Sequence, residues 1–211
     1  MGILERRERE KERRRNEIID AAENVFFAKG MENATMDDIA EKSELSKGTL
    51  YLYFKSKEDV YLAIHLRGNR ILKNMFQNAA KNNSKGIEQV RAIGEAYFEY
   101  YRKFPNYFNA MIYYESRAIE YEDEDSVAAE CMMEGKSTLD ILVKAINTGI
   151  KDGSIRDDID PLKTAISLWG QSTGIIQILA LKESIISNNY ALATEEIISY
   201  TFDLIHRSLT T

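Results

Sequence analysis

The sequence predicts an all-α protein of about nine helices, because helical periodicity dominates it. Apolar residues recur at three-, four- and seven-residue steps along most of the chain, which is the spacing of one helix face. Alternation of apolar and polar residues, the mark of a half-buried strand, is nearly absent. Only two prolines, Pro105 and Pro161, interrupt the 211 residues.

The first predicted helix, residues 12–34, has an apolar stripe that ends at a glycine. Gly30 follows the stripe and is the expected C-terminal cap. Thr35 then begins a short second helix, with Asp38 as its capping-box partner. The stripe of the first helix consists of Ile18, Ala22, Val25 and Phe26.

A third helix is expected from Lys47 to about Phe54, after the polar turn SELS. Leu50 and Phe54 are four residues apart, so they share a face and should point into a small core. Gly48 and Leu52 then face the opposite way. The sequence therefore predicts that this short helix has an outward surface around a glycine.

The rest of the chain continues as helices. Ser56 followed by Asp59 marks the start of the fourth, and a polar cluster ends it near residue 84. We expect a domain boundary just before this helix, which gives domains 1–54 and 55–211. The later helices are expected at about 87–104, 105–118, 126–151, 161–183 and 190–209.

Composition excludes several classes of protein. The single cysteine, Cys131, excludes an intramolecular disulfide framework and paired-cysteine zinc sites. The apolar runs are far shorter than the roughly 20 residues of a membrane span, and the charged N-terminus has no apolar signal-peptide core. We therefore expect a cytoplasmic protein without a membrane partner.

Charge is distributed unevenly. The formal net charge of -6 argues against a protein that coats nucleic acid indiscriminately. Residues 6–15, RREREKERRR, nevertheless hold seven basic and three acidic side chains. This run is either a solvated, ion-paired start of the first helix or an additional local contact for nucleic acid, and the sequence leaves both interpretations open.

Two short helices joined by a tight turn indicate a helix-turn-helix, whose last helix enters the major groove of DNA. Gly48 lacks a side chain, so a large rigid partner could approach the backbone closely. The surrounding hydroxyl and ammonium groups are donors for phosphates, and the helix starts near Thr35 and Ser46 add backbone amides. Double-stranded DNA is the expected partner; a helical hairpin with exposed tyrosines is the alternative.

The segment TMDDIAEKSELSKGTLYLYFKSKEDVYLA, residues 35–63, resembles the DNA-binding signature of the TetR family of transcriptional regulators. One departure is the Ser43-Glu44 pair, where the family commonly has Ala-Gly. If Glu44 adopts a left-handed backbone conformation, it should cost about 1 kcal/mol relative to glycine. The resemblance implies that the DNA-facing positions are Thr35, Ser46, Lys47, Gly48, Thr49, Tyr51, Tyr53 and Lys57.

The remaining three-quarters of the chain has no catalytic constellation. His65 and His206 are isolated, without a neighbouring ligand pair at metal spacing, and there is no phosphate-binding loop. The acidic run EYEDED at 120–125 lacks the regular spacing of a calcium loop, so a solvated loop is favoured over a cation site. We expect no enzymatic activity, metal or cofactor; a helical enzyme using pocket tyrosines is the weaker alternative.

Aromatic and sulfur-containing residues concentrate in the middle of the chain. They either fill a helical core or line an apolar pocket with a few polar groups. The family resemblance implies a small, often hydrophobic effector, which favours the pocket. The expected lining residues are Tyr97, Tyr101, Phe108, Met111 and Trp169.

The last helix is apolar on two faces. One stripe runs from Ile198 to Leu209, and a second consists of Ile197, Tyr200 and Leu204. A helix apolar on two sides needs two burial partners, and the resemblance implies a homodimer formed by the last two helices. The expected function is a repressor released from a palindromic operator by a hydrophobic effector. The alternative is an effector-independent DNA-binding protein, such as a nucleoid or cell-division factor.

Overall fold

The computed structural model describes residues 2–116 and 127–210, and these residues form nine α-helices and no strand. The predicted all-α class is confirmed. No helix in these two ranges has an apolar stretch long enough to cross a membrane. The helices are α1 (Ile3–Asn33), α2 (Met36–Lys42), α3 (Lys47–Tyr51), α4 (Lys57–Lys81), α5 (Gly86–Lys103), α6 (Pro105–Glu115), α7 (Val127–Asp152), α8 (Pro161–Tyr190) and α9 (Thr194–Leu209).

The chain groups into two compact units. The first unit contains residues up to Gly68 and the segment Asn106–Met132, and the second contains Asn69–Pro105 and the chain from Met133 onward. The first unit therefore includes α1, α2 and α3, the first part of α4, most of α6 and the start of α7. The predicted functional boundary between residues 54 and 55 stays a prediction.

Helix α1 begins at Ile3, nine residues before the predicted start at residue 12. The prediction was wrong there because the charged run has no apolar stripe to reveal its period. Arginine, lysine and glutamate are nevertheless good helix formers. Gly30 has φ 75° and ψ 164°, which interrupts the helical backbone and confirms the glycine as the end of the regular helix.

The core of the first unit is built on the apolar stripe of α1. Ile18 and Ala22 are completely buried, as are Ile39 of α2 and Leu50 of α3. Tyr61 of α4 adds edge-to-face aromatic contacts to Phe26 and Tyr113, with ring centroids 5.2 and 5.1 Å away. These contacts hold the short α2 and α3 on a larger apolar platform, since helices of this length are not stable alone.

A polar network lies beside this core and joins α1 to α4 and α6. Arg67 Nη1 donates to Asp20 Oδ1 at 2.6 Å and to Glu23 Oε1 at 2.9 Å, while its Nη2 donates to Asn16 Oδ1 at 3.3 Å. The Tyr107 hydroxyl donates to Glu23 Oε1 at 2.6 Å. Burial, together with the Glu23 carboxylate, raises the pKa of Tyr107 to about 12, so this hydroxyl remains a donor at neutral pH.

The second unit places α5 against α8 and α9. The Tyr97 hydroxyl lies 2.8 Å from Thr173 Oγ1, and the Phe98 and Phe202 rings meet edge to face at 5.5 Å. Helix α8 continues to Tyr190, seven residues beyond its expected end. This extension includes Ile185, Ile186 and Tyr190, but its Asn188-Asn189 pair is typical of a turn and favours an earlier end of the helix.

Candidate nucleic-acid interface

Helix α2 begins at a capping box. The Asp38 N–H donates to Thr35 Oγ1 at 3.1 Å, and the Thr35 N–H donates to Asp38 Oδ2 at 3.1 Å. Lys29 Nζ of α1 also donates to Asp38, at 2.8 Å. Hydrogen bonds from Lys29 and Thr35 hold the pKa of the Asp38 carboxyl below its usual value. The predicted capping box is confirmed, and it fixes the first turn of α2 against α1.

The turn between α2 and α3 contains a left-handed residue. Glu44 has φ 56°, the conformation for which glycine is the usual choice. The Leu45 N–H donates to Ala40 O at 2.9 Å, which closes the turn on the end of α2. Glu44 thus adopts the left-handed conformation that was expected of it, at a cost of about 1 kcal/mol relative to glycine.

Helix α3 begins at Ser46. The Thr49 N–H donates to Ser46 Oγ at 3.1 Å, and the two hydroxyl oxygens are 2.7 Å apart. The helix ends at Tyr51 rather than near Phe54. Its last turn tightens, because the Leu52 N–H donates to Thr49 O and the Tyr53 N–H donates to Leu50 O.

The two faces of α3 differ as the helical spacing predicts. Leu50 and Phe54 are buried, whereas Leu52 is 80% exposed. Gly48 lies on the exposed face, and a Cβ added there would meet only Ser46 Oγ, at 3.9 Å. The protein's own packing therefore leaves room for a side chain at this position. A requirement for glycine at residue 48 would have to come from a partner.

Lys47, at the start of α3, is paired within the first unit. Its Nζ lies 2.7 Å from Asp37 Oδ1, and both side chains are exposed. This hydrogen bond raises the pKa of Lys47 above its usual value. Sequence reasoning missed Asp37, because it lies in the first turn of α2, at the opposite end of that helix from the turn to α3, and no local pattern pairs it with Lys47. A polyanion that binds Lys47 must compete with this carboxylate.

Lys57 and Tyr53, two of the positions that the family resemblance implies face DNA, also make contacts within the first unit. Lys57 Nζ donates to Met31 O at 2.8 Å, so one of its three donors is used to hold the start of α4 against the end of α1. Tyr53 is half-buried against the core of the first unit. Thr35, Ser46 and Tyr51 are exposed. The roles of all eight residues in DNA binding stay predictions.

The residues expected to line an effector pocket fall in both units. Tyr97 is buried and Trp169 is exposed in the second unit, while Phe108 and Met111 are buried in the first. Tyr101 of the second unit is half-buried. The pocket stays a prediction, and the acidic segment at 120–125 lies outside the described residues.

The expected dimer residues lie on α9 of the second unit. Tyr200 is 61% exposed and Leu204 is 49% exposed, and Ile197 is half-buried on the same stripe. Phe202 and Leu209 of the other stripe are buried. The described chain therefore covers one apolar face of α9 and leaves much of the second face open.

The match to a family model lies within the first unit. The family described as bacterial regulatory proteins, tetR family, matches residues 18–64. The HTH-type transcriptional activator FasR of Mycolicibacterium smegmatis is 33% identical over 90 residues, which is 43% of this chain and 41% of FasR. The match thus spans less than half of that relative.

Two further similarities extend beyond this region. The HTH-type transcriptional repressor KstR2 of Rhodococcus jostii is 27% identical over 149 residues, or 70% of each chain. The structure of the transcriptional regulator FadR from Bacillus subtilis, in complex with stearoyl-CoA, has a TM-score of 0.69 at 20% identity. That alignment covers 90% of this chain and 97% of the FadR chain. At this identity it supports the fold alone.

Proposed function

Because the chain belongs, through its N-terminal domain, to the TetR family of bacterial regulatory proteins, we propose that it is a homodimeric transcriptional repressor. In this proposal the outward face of α3 enters the major groove of a palindromic operator, and a small hydrophobic effector releases the protein. The observation that carries the proposal is the open space beside Gly48 on an exposed, donor-rich helix face.

The surface around Gly48 suits a phosphate-lined groove. Ser46, Thr49 and Tyr51 present hydroxyl groups within barely two turns of helix, and hydroxyl groups are frequent donors to DNA phosphates. The glycine would let the backbone approach the duplex closely. Leu52 projects from the same side and offers an apolar contact of the kind that a thymine methyl accepts.

The exposed apolar stripe of α9 supports the homodimer. Tyr200 and Leu204 are large side chains whose burial against a second copy would be favourable, at about 25 cal/mol per Å² of apolar surface. A two-fold symmetric dimer presents two copies of α3. It would therefore read two inverted half-sites, about 34 Å or a multiple of that distance apart.

The proposed repression and the proposed release by an effector are argued from the similar proteins. KstR2, which the chain matches over 70% of its length, is a repressor, whereas FasR, matched over a shorter stretch, is an activator. The fold is shared with FadR in complex with stearoyl-CoA. Acyl-CoA thioesters are therefore the first effector probes, and the proposed pocket residues are Tyr97, Tyr101, Phe108, Met111 and Trp169.

Selection of genomic DNA fragments by the purified protein tests this function. We expect enrichment of one palindromic sequence, and then its release by acyl-CoA thioesters of graded chain length. Transcription from the promoter carrying that palindrome should rise when the protein is removed. Equal, salt-dependent binding to many unrelated duplexes, with no release by any probe, would instead favour an effector-independent DNA-binding protein. A fall in transcription on removal would identify an activator.

A further inference from the structure

Two lysine–aspartate pairs join neighbouring elements of the first unit, and they differ in how much of each carboxylate is used. Lys29 Nζ lies 2.8 Å from Asp38 Oδ1, and Asp38 Oδ2 accepts the Thr35 N–H in the capping box. Lys47 Nζ lies 2.7 Å from Asp37 Oδ1. In the described part of the chain the Asp37 carboxylate makes no other hydrogen bond or ion pair. Asp38 is thus used on both oxygens, whereas Asp37 has capacity left for a partner.

The unused groups of the Asp37–Lys47 pair are open to solvent. The Asp37 side chain is 68% exposed and the Lys47 side chain is 56% exposed. An ammonium has three N–H donors, so two remain after the bond to Asp37. A carboxylate has about four lone-pair sites, so Asp37 still accepts hydrogen bonds while it holds Lys47. The pair therefore presents donors and an acceptor side by side at the start of α3, next to Gly48.

The Asp37–Lys47 pair has no net charge, which lowers its attraction for a phosphate. Non-specific binding to DNA comes almost entirely from cations that neutralise phosphates. The Asp37 carboxylate cancels the charge of Lys47 at 2.7 Å. Recognition of a base edge depends instead on matched donors and acceptors, and it needs no net charge. The pair is therefore better suited to a base edge than to the phosphate backbone.

The spacing within the pair matches the major-groove edge of a G·C base pair. Guanine presents two acceptors there, N7 and O6, and cytosine presents the N4 donor. O6 and N4 share one Watson–Crick hydrogen bond, so they lie about 2.9 Å apart, close to the 2.7 Å between Lys47 Nζ and Asp37 Oδ1. The two remaining donors of Lys47 match the two guanine acceptors. A T·A pair offers only thymine O4 beside the adenine donor, so one lysine donor would stay unmatched.

We propose that Asp37 and Lys47 act together as a specificity determinant for a G·C base pair in each half-site, with Lys47 on guanine and Asp37 on cytosine. The inference rests on the proposed function, since α3 must first lie in the major groove. Asp37 then has two roles: it accepts a hydrogen bond from the cytosine, and it withholds the Lys47 charge from the phosphates of unrelated DNA. Both roles favour the operator over a random sequence.

Single base-pair substitutions along the selected palindrome, combined with variants of the pair, test this assignment. Asp37→Ala, Lys47→Ala and the double variant remove the acceptor, the donors and both. Asp140→Ala and Lys136→Ala make the same charge changes at exposed positions of α7. Affinity is measured against salt on each palindrome and on a random duplex of equal length. Circular dichroism and sedimentation check the fold and the association of every variant.

The parent chain should prefer G·C at one position of each half-site by at least about tenfold, the usual range for a well-matched base contact. Replacing that guanine by 7-deazaguanine, which lacks the N7 acceptor, should weaken binding of the parent but not of Lys47→Ala. Lys47→Ala should lose the preference at that position and keep the preferences elsewhere. The double variant should discriminate there no less than Lys47→Ala, because the two residues act as one unit.

Asp37→Ala should bind the random duplex several-fold more tightly, with a log-log salt slope steeper by about 0.9 for each protomer, because Lys47 becomes free to neutralise one phosphate. Its affinity for the palindrome should rise less, since the cytosine contact is lost, and its preference for G·C should fall several-fold. The two α7 variants should change none of these quantities. An equal rise on both duplexes would reduce Asp37 to general repulsion, and an undiminished G·C preference would mean that Lys47 reads guanine alone; each result overturns the proposal.

Failure of the proposed function would look different. The parent chain would then enrich no palindrome and would bind all duplexes alike, which removes both proposals. If a palindrome is enriched, and Gly48→Ala weakens its binding while no base-pair preference depends on Asp37 and Lys47, α3 still docks in the groove. In that case only the assignment of the Asp37–Lys47 pair is wrong.

Discussion

The outward face of α3 offers hydroxyl groups around Gly48, whereas the outward face of α9 offers the large apolar side chains of Tyr200 and Leu204. Both helices bury their other face within their own unit, through Leu50 in α3 and Phe202 in α9. The α3 surface is suited to a hydrated polyanion, to which polar donors bind without excluding all water. The α9 surface is suited to another apolar surface, whose contact removes both from water.

In the proposed function, this difference assigns sequence recognition to α3 and dimer assembly to α9. Substitutions on α3 should change DNA binding and leave the protein's association unchanged. Substitutions on α9 should disrupt association first, and DNA binding as a consequence. The variants of α9, Asp37 and Gly48 described below each test one side of that division, and the variants of His65 and Arg67 test the stability of the first unit.

The largest effect is expected from charges on α9. Tyr200→Asp with Leu204→Asp should raise the dimer dissociation constant by about a thousandfold or more, or about 4 kcal/mol, because two carboxylates would have to be buried. Sedimentation at graded concentrations measures the shift. Ser199→Asp with His206→Asp adds two acids to another exposed part of α9 and should leave the dimer intact. Equal behaviour of the two variants would contradict the assignment of the interface.

A buried histidine should make the first unit sensitive to acid. His65 is buried and stacked on Tyr114 at 4.3 Å, and burial lowers its pKa to about 4 from an ordinary value of about 6.5. Between these pH values the unfolded chain binds a proton that the folded chain excludes. The contribution of His65 to the free energy of unfolding should therefore fall by up to about 3 kcal/mol as the pH drops from 6.5 to 4.

His65→Gln removes this titration and serves as the comparison for urea unfolding followed by circular dichroism. Relative to this variant, the parent chain should lose unfolding free energy as the pH falls through the same window, whatever the two values at pH 7. An unchanged pH dependence would show that His65 is protonated as easily when folded as when unfolded.

The sequence predicted the starts of some helices and missed others. The starts of α2, α3 and α4 were predicted because their caps at Thr35, Ser46 and Ser56 bond within three residues. Such short-range chemistry is visible without a tertiary structure. The start of α1 was missed because the charged run lacks the apolar period from which the helix would be recognised.

Contacts between residues distant in sequence were not predictable in the same way. Arg67 meets Asp20 across 47 positions, and no local pattern pairs one cation with a particular acid. A partial signal existed, since Asn16, Asp20 and Glu23 form a polar stripe at helical spacing. That stripe indicates a polar neighbour for α1 without saying which helix provides it.

The Arg67 network should contribute moderately to the first unit. Arg67→Gln removes the cation shared by Asp20 and Glu23, and it should lower the free energy of unfolding by about 2 kcal/mol, the usual value for hydrogen bonds to charged groups. Lys103→Gln breaks an exposed pair with Glu99 and should cost under about 0.5 kcal/mol. Equal costs in urea unfolding would show that the network is no stronger than a surface ion pair.

The smallest effect is expected from Asp37. Asp37→Asn frees Lys47 and removes a negative charge beside the proposed phosphates, so affinity for DNA should rise several-fold, or about 1 kcal/mol. Asp140→Asn makes the same charge change at an exposed position of α7 in the second unit and is the control for overall charge. Titration of both variants with one labelled duplex distinguishes a local effect from a general one.

The most direct test of the central claim is the operator affinity of Gly48→Ala, measured together with its free energy of unfolding. The space beside Gly48 accommodates a methyl group, and alanine favours a helix by up to about 1 kcal/mol over glycine. We therefore expect a protein at least as stable as the parent, still dimeric, that binds its operator about a hundredfold more weakly because the methyl group meets the duplex. Unchanged operator affinity in this stable variant would contradict the docking of α3 in the groove.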